Sequence, residues 1–172
     1  MAWAKLEADR TEVREPHKAC RNLRFYADED VDEVLIGVVR DQRYDVESAS
    51  ERGLVGHSAE FHFKRSAAIE CVLLTQDHAY LDESRFPLSQ TWGVCVVDVD
   101  RANVGQLARA LEVIDATLGA YGLLWKKSKL VIESDGALRV CRRGGEGEFQ
   151  YTDVSRYKFD PSGKDVWVWK DS

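Results

Sequence analysis

Three consecutive carboxylates, Asp28-Glu29-Asp30, follow the run Leu23-Arg24-Phe25-Tyr26-Ala27. A second apolar run, Cys71-Val72-Leu73-Leu74-Thr75, ends at Gln76-Asp77 in the same way. If the two runs are strands of one parallel sheet, their carboxyl ends share the edge where such sheets bind ligands. Acids crowded there repel one another, and a divalent cation or a shared proton relieves the repulsion. The pattern points to an acidic, metal-binding site with oxygen ligands. A plainer reading makes Asp28-Glu29-Asp30 the cap of the following helix, because acids suit the positive end of a helix dipole.

Positioning these acids requires alternating strands and helices. Val31, Val34, Leu35, Val38 and Val39 fall at i, i+3, i+4, i+7 and i+8, the apolar stripe of a core-facing helix. Arg43–Glu47 reads as a second strand, and Gly53 and Gly56 punctuate the loop after it. Ser58 is an N-cap for a helix from Ala59 to about Ala68. Cys71–Thr75 is the third strand and Val94–Val99 the fourth, with a long connection from His78 to Gly93. Val104, Leu107, Leu111, Ile114 and Leu118 define another amphipathic helix, closed by Gly119 and Gly122. Asp135-Gly136 then reads as a hairpin turn between Lys129–Ser134 and Ala137–Arg142. A last hairpin is expected from Phe149–Phe159 and Val166–Lys170. Strand–helix units of this kind argue for an α/β domain with a mainly parallel sheet and C-terminal β-hairpins.

The chain has 172 residues, 44% hydrophobic and 31% charged, the composition of a globular domain with its own core. Residues 1–22 are charge-dense and read as an N-terminal extension, helical or disordered. Residues 143–172 read as a glycine hinge followed by a hairpin extension. A net charge of −6 excludes nucleic-acid binding by bulk attraction and leaves phosphate contact to local basic groups. Lys64-Arg65, Lys126-Lys127 and Arg142-Arg143 are the candidates for such a rim. The plainer reading makes Lys126-Lys127-Ser128-Lys129 and Arg139–Arg143 solvated faces. Cys20, Cys71, Cys95 and Cys141 form no C-x-x-C pair and read as reduced thiols. His57, His62 and His78 fit no compact zinc spacing and read as surface or core histidines. Met1–Lys5 lacks the apolar core of a signal peptide, so a cytoplasmic location is expected.

The order Phe25–Asp30, Tyr44-Asp45-Val46, Gly53-Leu54-Val55-Gly56, Val72–Asp77 and Gly93–Val97 resembles the PIN-like nuclease superfamily. The similar branch comprises small prokaryotic proteins whose first strand ends in Asp-Glu-Asn and whose third ends in Thr-x-Asp-x-Asp-Phe. The resemblance covers residues 23–142 and implies a three-layer PIN-like fold. It also implies a metal-dependent ribonuclease, often the toxin of a toxin–antitoxin pair, using Mg²⁺ or Mn²⁺ to cleave RNA. An antitoxin protein is the partner it implies, and a homodimer is the expected self-association. Carried over by position, Asp28 and Asp77 are the central acids, Glu29 and Asp30 supporting metal ligands, and Glu60 a catalytic substitute. Two departures stand out. The helix that usually opens Ser-Asp-Glu reads Ser58-Ala59-Glu60, and Thr75–Tyr80 has Ala79 in place of the second Asp.

Other families share parts of the pattern. A receiver domain also has acids after its first strand and an Asp after its third, but this chain lacks Thr/Ser-Ala after its fourth strand. A haloacid-dehalogenase-like phosphatase would use Asp28-x-Asp30 but expects Thr or Val where Asp32 stands. A catalytically inactive PIN-like binding module is the third alternative.

Overall fold

The computed structural model describes residues 2–5, 23–113, 128–143, 151–159 and 166–170. The elements are β1 (Ala2–Lys5), β2 (Arg24–Ala27), α1 (Glu33–Asp41), β3 (Asp45–Ser48), α2 (Ala59–Ala68), β4 (Val72–Thr75), β5 (Val94–Val97), α3 (Val104–Val113), β6 (Ser128–Ile132), β7 (Leu138–Arg143), β8 (Tyr151–Phe159) and β9 (Val166–Lys170). Six strands lie in the order β3-β2-β4-β5-β6-β7, with β3 to β6 parallel and β7 antiparallel to β6. This is the α/β class with a mixed, mainly parallel sheet. The order continues through β8 and β9 to β1 by antiparallel pairs.

The apolar runs form central strands because side chains of parallel strands are buried on both faces. Phe25, Val72, Leu74, Cys95 and Val97 pack with Leu35, Val39, Leu107 and Leu111 in a layer under α1 and α3. Tyr26, Leu73, Val94 and Val96 face the opposite layer, which contains Phe63 of α2 and Tyr80 and Phe86 of the β4–β5 connection. Asp32 caps α1 by accepting the Val34 N–H at 2.9 Å, and Ser58 caps α2 by accepting the Phe61 N–H at 3.2 Å. Both helices start where their capping residues dictate. At the β6–β7 turn, Gly136 has φ +79, and the Glu133 N–H donates to the Ala137 carbonyl at 2.8 Å. The expected continuation of α3 through Ile114 and Leu118, the glycines after it and the turn at residues 160–163 lie outside the described residues.

Strand β3 lies at one edge of the sheet. There the Arg40 guanidinium donates to the Val46 carbonyl at 2.9 Å and to both Glu51 carboxylate oxygens, at 2.9 and 2.7 Å.

Two sequence expectations are corrected. Ala2–Lys5, assigned to a helical or disordered extension, is a strand paired with β9, whose backbone supplies the partner that the local sequence could not reveal. Lys129, read as part of a solvated basic run, is 0% exposed. Its Nζ donates to Glu83 Oε2 at 3.0 Å and to the Phe86 carbonyl at 2.6 Å, anchoring the β4–β5 connection to β6. Cys71 and Cys95 are buried free thiols. No helix among the described residues is long and apolar enough to cross a membrane.

Candidate active site

Phe25 pairs with Val72 and Ala27 with Leu74, so Asp28 and Thr75 follow at matching levels at the carboxyl ends of β2 and β4. Side chains alternate between faces along a strand. Tyr26 and Leu73 lie in the layer under α2, so Asp28 and Thr75, two residues further on, fall on that same face.

Asp28 is only 2% exposed. The Thr75 hydroxyl donates to Asp28 Oδ2 at 2.6 Å and accepts the Asp77 N–H at 3.0 Å. The Asp30 N–H donates to Asp28 Oδ1 at 3.1 Å. Burial pushes the Asp28 carboxyl up to about 6; the Thr75 and Asp30 hydrogen bonds oppose that rise, while the charges of Asp30 and Asp77 add to it. This carboxyl therefore holds its proton to a higher pH than an exposed aspartate does. Beside it, burial raises the Tyr80 phenol, as do the charges of Asp28 and Asp77 and a hydrogen bond with Asp28. The Tyr80 hydroxyl also donates to the Ala59 carbonyl at 3.3 Å, which ties the acidic site to the start of α2.

The loops around these acids are stitched together. Asp77 Oδ1 accepts the Ala79 N–H at 2.8 Å and caps the 3-10 turn His78–Leu81. Gln76 Oε1 accepts the Asp32 N–H at 2.9 Å, while its Nε2 donates to the Val99 carbonyl at 3.3 Å. One side chain thus links the start of α1 to the segments that follow β4 and β5. Asp32, in turn, accepts Arg101 Nε and Nη2 at 3.0 and 2.9 Å.

The remaining expected residues divide. Glu29 accepts the Gly56 N–H, which fixes the loop after β3 at a residue with φ +87. Asp30 is exposed. Glu60 is paired with Arg85, accepting Nε at 2.8 Å and Nη2 at 2.6 Å. Lys64 is exposed. Arg65 is committed to Glu47 at 2.6 Å, with its guanidinium carbon 5.6 Å from the Tyr26 ring centroid. Lys126 and Lys127 lie outside the described residues. Arg142 and Arg143 fall on β7, at register positions opposite Asp153 and Tyr151. Among the described residues no three His, Cys, Asp or Glu side chains converge as a ready metal cage. The donor set at Asp28 and Asp77 nevertheless suits a small hard cation that takes one or two carboxylates and keeps several waters.

Two groups beside these acids stand outside the expected set. His62, read only as a surface or core histidine, is 1% exposed, and its Nδ1 lies 2.8 Å from the Tyr26 hydroxyl. Burial lowers its pKa, against the opposing charge of Glu29. Its position on α2 one turn after Ser58 was the available clue. Asp98 follows β5 as Asp28 follows β2, and its Oδ1 lies 3.5 Å from His78 Nε2. The run Val94-Cys95-Val96-Val97-Asp98 carries the same apolar-then-acid signal as the first two strands.

Comparisons with family models, curated proteins and solved structures return no match for this chain.

Proposed function

We propose that the chain is a PIN-like, metal-dependent ribonuclease centred on Asp28 and Asp77. The observation that carries this reading is the Thr75 hydroxyl, which donates to the buried Asp28 carboxylate while accepting the Asp77 N–H at the edge of a parallel sheet. Mg²⁺ or Mn²⁺ would be held by these two carboxylates and by water. When bound, such a cation makes a nucleophile of its water and steadies charge on the phosphodiester. The chain's own part is to fix the acids. Both Asp28 oxygens are held by hydrogen bonds, and Asp77 keeps one oxygen on its local turn. Tyr80 and the apolar strands close the inner side of the site to water. A proton on Asp28 competes with a cation, so metal affinity should fall below about pH 6. An inactive binding module is the second reading, favoured by Glu60 being paired with Arg85 instead of being turned to the acids.

Incubation with single-stranded RNA and Mn²⁺ tests the proposal. Cleavage is expected in wild type and should fall at least about a thousandfold in Asp77→Asn, equivalent to about 4 kcal/mol of transition-state stabilisation. Intact RNA with wild type, together with Mn²⁺-induced thermal stabilisation that Asp28→Asn removes, would select the binding module. A phosphoryl adduct on Asp77 after treatment with acetyl phosphate would select a receiver-like domain.

A further inference from the structure

Most cations near the acidic site are already committed. Arg65 and Arg52 pair with Glu47, Arg85 with Glu60, and Arg101 with Asp32. Lys64 is exposed, enters no ion pair among the described residues and acts on Glu60, one turn earlier, through its charge alone. It stands on α2 three residues after Phe61, the spacing of one helical face.

On that face the His57 imidazole stacks on the Phe61 ring, with centroids 4.0 Å apart and planes 17° from parallel. His62 meets both rings edge-on, at 5.4 Å from Phe61 and 6.4 Å from His57. The stack is held at its base because Ser58 caps the Phe61 N–H and the Gly56 N–H is bound by Glu29. His57 is exposed, and Val55, two residues before it, is 62% exposed. Glu29 adjoins Asp28, so the stack begins one loop contact away from the acidic site.

A flat exposed ring beside a single unpaired cation is what proteins offer to single-stranded nucleic acid. Bases stack on aromatic faces regardless of sequence, while cations take the phosphates. A duplex hides the faces of its bases in its own stack. We infer that the His57–Phe61 stack and Lys64 bind one unpaired nucleotide of single-stranded RNA, with its base on the imidazole and its phosphate at Lys64. The strand then continues toward Asp28 and Asp77. This inference rests on the ribonuclease reading for the kind of strand bound.

The test is fluorescence anisotropy of the full chain with a short single-stranded RNA, using Ca²⁺ in place of Mg²⁺ or Mn²⁺ so that the strand stays intact. His57→Ala should weaken binding about tenfold, and His57→Tyr should restore it, because the contact is a stacked face. An abasic strand should bind wild type about as weakly as His57→Ala binds the intact strand, with no further loss when both changes are combined. Lys64→Gln should lower the salt slope by about 0.7, the share of one phosphate contact on a single strand. Wild-type affinity in His57→Ala, equal affinity for a duplex, or no RNA binding at all would overturn the inference. Cleavage in Mn²⁺ without dependence on His57 would leave the nuclease standing and remove the stack. Binding through His57 without cleavage in Mn²⁺ would do the reverse.

Discussion

On the α1/α3 side of the sheet, Leu35, Val39, Leu74, Leu107 and Leu111 meet other apolar side chains in one continuous layer. On the α2 side the apolar cluster shares its face with Asp28, Thr75, His62 and Lys129, all nearly or wholly buried. A buried charge without compensation is strongly destabilising, so each polar group there needs a partner. Thr75 serves Asp28, Tyr26 serves His62, and Glu83 with the Phe86 carbonyl serves Lys129. One face is packed mainly through apolar contacts. The other carries polar groups under strain: burial pushes the Asp28 carboxyl up despite its hydrogen bonds, and His62 Nε2 is buried with no hydrogen-bond partner among the described residues.

That contrast can be broken at three points. Lys129→Met should have the largest effect, a loss of about 4 kcal/mol, because it leaves Glu83 and the Phe86 carbonyl without the ammonium that holds the connection. Urea denaturation measures it, and an unchanged midpoint would show that this face accepts an apolar filler as readily as the other. Leu107→Ala removes a fully buried side chain from the opposite layer and should cost about 3 kcal/mol. RNA cleavage per folded molecule should stay unchanged below the melting point, and a specific loss of turnover would couple the two layers.

Asp28→Asn should have the smallest effect on stability, and the opposite sign. The folded-state carboxyl titrates at about 6 against 3.8 ordinarily. Its protonated form is favoured by folding, so its stabilising contribution is complete below about pH 4 and lost as the pH rises through about 6. The metal-free variant should thus exceed wild type in stability at pH 8 and match it near pH 4. Thermal melts at the two pH values check this. A variant less stable than wild type at pH 8 would mean that the carboxylate is fully compensated in the fold.

The strand ends were legible because buried parallel strands read as unbroken apolar runs, and an acid after each run marks the same sheet edge. Asp28 and Asp77 come together for that reason. Ser58 as the cap of α2 was equally readable, since its hydroxyl meets a backbone N–H only three residues away. Lys129 was not readable, because its partners lie more than forty residues earlier and its neighbours Lys126 and Lys127 suggest a solvated run. Arg65 likewise resembled a phosphate contact beside Lys64, until the distant Glu47 claimed it. The Tyr26–His62 contact joins residues on two separate elements, and no local pattern announces it.

The Arg40 guanidinium on the Val46 carbonyl has a consequence for assembly. Edge strands invite foreign strands because their outward backbone groups lack partners. At β3 an incoming chain would find this acceptor already filled and a bidentate Arg40–Glu51 pair standing across its path. Removing Arg40 from Val46 would expose a carbonyl and release Glu51 together, so the two obstacles are cleared at one combined penalty. This side of the sheet is therefore guarded against edge-to-edge growth by a single long side chain reaching over from α1.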